Sequence, residues 1–190
     1  KLRCVVYQIG YFLMVHNVLS LFTGYEGFGL GLRLAGLDIK HVGYVEIDPY
    51  CQEVIQQRVE DEHLDWAPII TDIKTTDFRP MAGLVDIITA GFPCQPHSTA
   101  GKRLGSADSR DLWPDTLATI STVAPAYVLL ENVPGLLFGN GERESYGGKV
   151  VGELSSIGYD AQWQLISAAS VGAPHLRWRW WCLAHPKSNS

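Results

Sequence analysis

The chain has 190 residues, 46% apolar and 18% charged, which is enough for one folded domain with a real core and excludes a disordered or fibrous chain. Against 20 Asp and Glu stand 15 Lys and Arg, a net charge of −5. That balance excludes a protein gripping nucleic acid over its whole surface, so any such contact is local or shared with another chain.

Residues 4–15, "CVVYQIGYFLMV", are apolar but too short to span a bilayer, and they contain Gln8 and Gly10. No small-residue cleavage site follows, so neither a membrane span nor a signal peptide is expected. Residues 1–13 read as an extension outside the fold, with Met14 as the natural start, one domain over 14–185, and a tail at 186–190. "NVLSLF" (17–22) predicts a first strand, and the glycines after it open a helix over about 27–35. "HVGYVEI" (41–47) predicts a second strand, and Pro49 suits the first turn of a helix running to about Glu60. "PIIT" (68–71) and "VDIITA" (85–90) predict strands three and four. After a long polar loop, 91–110, come a helix near 111–123, a fifth strand "YVLLE" (127–131) and a helix over 148–157. "AQWQLISA" (161–168) and "RWRWWCLA" (177–184) predict a closing antiparallel hairpin.

Near-continuous apolar strands alternating with helices imply an α/β, doubly wound, mostly parallel sheet covered on both faces. Ligands of such sheets bind beyond the carboxyl ends of the strands. Phe22, Glu46, Asp72, Cys94 and Glu131 all fall at that edge.

The first loop, Phe22-Thr23-Gly24-Tyr25-Glu26-Gly27, either lets backbone approach a ligand closely or packs helix against strand. Glu46 is placed to accept from ribose hydroxyls. The loop is not Gly-x-Gly-x-x-Gly, and Glu26 would set a negative charge beside a pyrophosphate, so a nucleoside cofactor without phosphates is expected rather than NAD. Asp72 either accepts from an adenine amino group or caps a turn.

The four cysteines, at 4, 51, 94 and 182, form no Cys-x-x-Cys pair and no His/Cys ligand spacing, so no metal is expected. The thiols read as those of a reduced intracellular protein. Cys94 stands between two prolines in "GFPCQPHS" (91–98), on a stiffened loop just past a strand. A thiol there is held out for use rather than for packing.

With that motif the chain resembles the DNA (cytosine-5)-methyltransferase family. The Phe-x-Gly loop, "VEIDP" (45–49), "TDI" (71–73), the Pro-Cys loop, "AGKRLGSADSRDLW" (100–113), "LLENVPGL" (129–136) and "GYDAQWQLISAASVGAPHLRWRWW" (158–181) stand in family order, covering roughly residues 17–184. The resemblance implies the Rossmann-like class I fold of S-adenosylmethionine (AdoMet)-dependent methyltransferases, and a cytoplasmic enzyme of prokaryotic or phage type. It implies methyl transfer to C5 of a cytosine flipped from duplex DNA, through a Cys94 adduct. A tRNA cytosine methyltransferase of the same fold, and an inactive fragment that binds cofactor or a partner, are the alternatives.

The implied catalytic residues are Cys94, Glu131, Arg177 and Arg179. Arg177 would contact the pyrimidine O2, and Arg179 would hold the catalytic loop. Two apart on a strand, the arginines would share one face; "RWRWW" also suits a plain amphipathic surface strand, and Glu131 a salt bridge. The implied cofactor residues are Phe22, Thr23, Gly24, Glu26, Gly27, Glu46, Ile47, Asp72, Ile73, Gly91, Pro93 and Leu112. Gln95, Ser98, Lys102, Arg103 and Arg110 would meet DNA. Glu26 replaces the family's usual second glycine, His97 a common aromatic, and His175 a usual glutamine. Family members continue into a target recognition domain that is not in this sequence, so a missing segment or a separate chain is expected to supply target recognition.

Overall fold

The computed structural model describes residues 14–93, 111–138 and 145–188. Seven strands form one sheet in the order β3-β2-β1-β4-β5-β7-β6. They are β1 (His16–Leu21), β2 (Ile39–Val45), β3 (Ile69–Ile70), β4 (Ile87–Ala90), β5 (Tyr127–Asn132), β6 (Tyr159–Ser167) and β7 (Trp178–Pro186). The first five run parallel, and β7 pairs antiparallel with both β5 and β6. The expected parallel sheet with a C-terminal antiparallel hairpin is the observed one. Helices α1 (Gly27–Leu34), α2 (Pro49–Glu60), α3 (Trp113–Val123) and α4 (Tyr146–Ser156) connect the strands.

Successive residues of a strand point to opposite faces, and here each face finds a core. In β1, Val18 packs with Ile39 and Ile87 in one cluster, while its neighbours Leu19 and Leu21 enter the larger one with Ile88, Trp113, Val150 and Trp180. Ile87 and Ile88 divide in the same way. This two-sided burial is what the continuous apolar runs encode.

The fold runs past the expected boundary at residue 185. Pro186 ends β7, the Lys187 amide donates to Gly158 O (2.8 Å), and its Nζ donates to Ser155 O (2.9 Å). A second correction concerns Arg177, which precedes β7 with φ 32, in the left-handed region, so the simple alternation expected for Arg177 and Arg179 does not hold.

β1 lies between β2 and β4, so the chain's connections leave it in opposite directions and open a crevice at its carboxyl end. The antiparallel course of β7 brings its amino-terminal end, with Arg179, to that same edge.

Behind the crevice lies a partly buried polar chain. Arg33 Nη2 donates to Asp65 Oδ2 (2.6 Å), Asp65 Oδ2 faces His41 Nδ1 (3.0 Å), and His41 Nε2 faces Glu26 Oε1 (3.2 Å). Ser20 Oγ donates to the other oxygen of Glu26. Burial alone would push both carboxyls up. Hydrogen bonds and charge from His41, with Ser20 and the Gly29 amide acting on Glu26 and Arg33 on Asp65, outweigh it and hold both below their ordinary values of 4.5 and 3.8. Carboxyls depressed in the fold contribute stability above their unfolded values and lose it as pH falls through the folded ones. The urea midpoint should therefore drop on acidification from about pH 5 to about pH 3, and drop less in Glu26→Gln. An unchanged pH dependence in that variant would show that the Glu26 carboxylate contributes nothing.

Candidate functional site

A cleft of about 610 Å³ opens at the carboxyl edge, lined by Phe22, Val45, Glu46, Ile47, Thr71, Asp72, Ile73, Lys74, Pro93 and Leu112. It gathers seven of the expected cofactor residues from four strand ends and from Leu112, just before α3. Val45, Thr71 and Lys74 were not expected there; each neighbours a residue that was.

Each wall has a local cause. Phe22 leaves β1 with φ 55, a conformation that a bulky residue adopts only under constraint. Thr23 is buried and ties the turn down: its amide donates to Val45 O (3.1 Å) and its hydroxyl to Ser20 O (3.1 Å). Gly24, at φ 55, supplies the left-handed step that brings its N–H onto Glu46 Oε2 (2.7 Å). The other oxygen of Glu46 accepts from the Asp48 amide (2.9 Å). A carboxylate has about four acceptor sites, so Glu46 keeps capacity for a diol. Asp72 caps a turn by accepting from the Lys74 amide (2.9 Å), and it also lines the cleft.

Glu26 and Gly27 stand apart from the cleft lining. Glu26 is 2% exposed, and its carboxylate turns inward to Ser20, His41 and the Gly29 amide. Contrary to expectation, the Glu26 charge faces the interior and sets no repelling charge beside a pyrophosphate. Gly27 begins α1.

Next to the cleft, β4 and β5 are neighbours in the register Ala90 to Leu130. Glu131 thus comes beside Gly91, where an added Cβ would stand 3.5 Å from Glu131 Oε2. Arg179 Nε pairs with Glu131 Oε1 at 2.7 Å. Burial pushes the Glu131 carboxyl above its ordinary range, and Arg179 and Arg177 pull it only partly back. Arg177 therefore acts on the same carboxylate despite its irregular backbone. Asn132, 4% exposed, has a role the sequence did not assign. Its Nδ2 donates to Phe92 O (3.0 Å) and its Oδ1 accepts from the Val133 amide (2.8 Å), pinning the start of the loop after β4.

Cys94, Gln95, Ser98, Lys102, Arg103 and Arg110 lie outside the described residues. Pro93, the residue before Cys94, lines the cleft. Among the described residues, no group of three or more His, Cys, Asp or Glu is arranged to hold a metal, and no helix is long and apolar enough to cross a membrane.

The sequence profile of the C-5 cytosine-specific DNA methylase family matches residues 16–190. The Type II methyltransferase M.NgoMIV of Neisseria gonorrhoeae is 36% identical over 165 residues, which is 86% of this chain and 50% of that protein. M.Eco47II of Escherichia coli is 40% identical over 125 residues, 65% of this chain and 28% of that protein. The chain thus spans half or less of the length of these relatives. Among solved structures, the Dnmt2 methyltransferase of S. pombe superposes with a TM-score of 0.71 at 24% identity, covering 93% of this chain and 51% of that one. That likeness establishes the fold, the one shared by AdoMet-dependent methyltransferases. With a matching profile over nearly its whole length, this chain belongs to the C-5 cytosine-specific DNA methylase family.

Proposed function

We propose that residues 14–187 form the catalytic domain of an AdoMet-dependent DNA cytosine-5 methyltransferase. The observation that carries this reading is the meeting of two features at one sheet edge: the cleft, and beside it the Glu131–Arg179 pair facing Gly91.

The cleft fits the cofactor. Its volume suits a nucleoside with a short side chain, Phe22, Ile47, Ile73 and Leu112 offer apolar walls, and Glu46 and Asp72 offer acceptors for ribose and adenine donors. AdoMet supplies an electrophilic methyl group when bound. In this reading Phe22 packs on the adenine. Phe22→Ala should weaken AdoMet binding by about 1 kcal/mol or more, measured by calorimetry; unchanged affinity would remove Phe22 from the site.

C5 of cytosine is a poor nucleophile. The Cys94 thiolate adds to C6, and the ring electrons move to C5, which then attacks the methyl group. Loss of the C5 proton and expulsion of the thiolate restore the ring. Glu131, held largely out of water, donates to N3 and accepts from the exocyclic amino group, stabilising the negative charge that addition places on the ring. Arg179 holds the Glu131 carboxyl in place, and Arg177 adds positive charge near the base. A cytosine within a duplex exposes neither ring face to a thiol, so the base must leave the stack.

At a net charge of −5, this chain offers little counterion release to DNA. We infer that Gln95, Ser98, Lys102, Arg103 and Arg110 make local contacts and that further protein supplies the remaining grip, either in the same polypeptide or as a partner chain. Transfer of tritiated methyl groups from AdoMet by the native protein to duplex DNA tests the reading, with tRNA as the second substrate. Labelled DNA supports it, labelled tRNA alone selects the tRNA alternative, and no transfer beside intact AdoMet binding selects a cofactor-binding module.

A further inference from the structure

Glu26 occupies a backbone conformation made for glycine. Its φ is 59 and its ψ 52, yet it carries a buried, charged side chain. A bulky residue holds that conformation only where its surroundings compensate, and here they do. The carboxylate caps α1 by accepting from the Gly29 amide (2.6 Å), accepts from Ser20 Oγ, and meets His41 Nε2.

The neighbours are shaped around this arrangement. A Cβ on Gly29 would lie 2.6 Å from Glu26 Oε1 and 2.6 Å from the His41 ring, so only glycine admits the pair. His41 is 1% exposed, stacks on Tyr44 at 4.9 Å, and receives Asp65 on its other ring nitrogen. The His41 amide also donates to Asp65 Oδ2 (2.8 Å), and Arg33 closes the chain from α1. The links cross three elements: β1 through Ser20, β2 through His41, and α1 through Gly29 and Arg33.

Between Ser20 and Glu26 runs the segment holding Phe22 and Gly24. Glu46 grips it from the cleft side through the Gly24 amide. We propose that Glu26 and His41 are positioning residues, fixing the Phe22–Gly24 turn from behind so that the cleft wall is formed before the cofactor arrives. A wall ordered in advance spares the ligand the entropy of ordering it. The proposal rests on reading the cleft as the AdoMet site.

Glu26→Gly suits the backbone but removes the links; Glu26→Gln keeps the shape and removes the charge. Amide hydrogen exchange of the native protein and both variants, without cofactor, is the first measurement. The Gly24 amide should exchange about ten-fold faster in both variants relative to Val128 and Leu130 in β5, whose exchange reports global stability. Gly24 bonds to Glu46 and not to Glu26, so a change there reports the turn rather than the deleted contact. Calorimetry with AdoMet is the second measurement, and its dissociation constant should rise about ten-fold. Unchanged Gly24 exchange overturns the proposal, and so does acceleration shared equally by β5, which would report loosening of the whole domain. If the unsubstituted protein binds no AdoMet, the reading of the cleft fails, and Gly24 exchange still decides whether Glu26 fixes the turn.

Discussion

Replacing Cys94 with serine should reduce methyl transfer by roughly 10³-fold or more, the loss expected when a covalent nucleophile is removed, with AdoMet affinity nearly unchanged. Among the described residues the alternatives are poor. Cys182 is fully buried in the core, and its thiol is pushed up to about 12 by desolvation. Desolvation and the Glu46 and Asp48 carboxylates also raise the Cys51 thiol. Neither provides thiolate near neutral pH. Cys94, by contrast, follows a proline that lines the cleft, and serine cannot replace a thiolate as the nucleophile toward C6. Transfer rates for the two proteins at saturating AdoMet provide the check; a serine variant within ten-fold of the parent would mean that the chemistry proceeds without this thiol.

Glu131→Gln should lower turnover by about 10²-fold or more, the range of a lost proton donor. The carboxyl sits above its ordinary range because it is buried, and the two arginines only partly offset that. It therefore holds a proton at a higher pH than an exposed glutamate, which suits donation to a ring nitrogen. Glutamine keeps the hydrogen-bonding outline but has no proton to give and no charge for Arg179. The parent's rate should fall as pH rises through the Glu131 titration, and the variant should lose that limb. A mild effect with the pH profile unchanged would make the Glu131–Arg179 bridge structural only.

Local chemistry explains which parts of the fold were legible. The start of the helix Pro49–Glu60 was legible because a proline opens it, and Asp48 caps it through the amides of Tyr50 and Cys51. The central strands were legible from their apolar runs because both faces of the sheet are buried there. The cleft-lining residues were legible from their place at strand ends, which chain order and sheet topology together determine. Partners distant in the chain were not. Glu26 turns inward because His41 lies 15 residues on, and His41 is held by Asp65, 24 residues further. Nothing near Asn132 announces its bond to Phe92 O, 40 residues back. Arg177 fell outside its expected strand because its backbone takes a positive φ, which composition does not signal.

The most direct test of the central claim is covalent trapping. Incubation of the native protein with AdoMet and duplex DNA carrying 5-fluorocytosine at its methylation site blocks loss of the C5 substituent, so the adduct formed by addition to C6 persists. A protein–DNA species should form that survives denaturation, depends on AdoMet, and yields on digestion a modified peptide attached through Cys94. An adduct at another residue, or methyl transfer from a protein lacking Cys94, would contradict that claim.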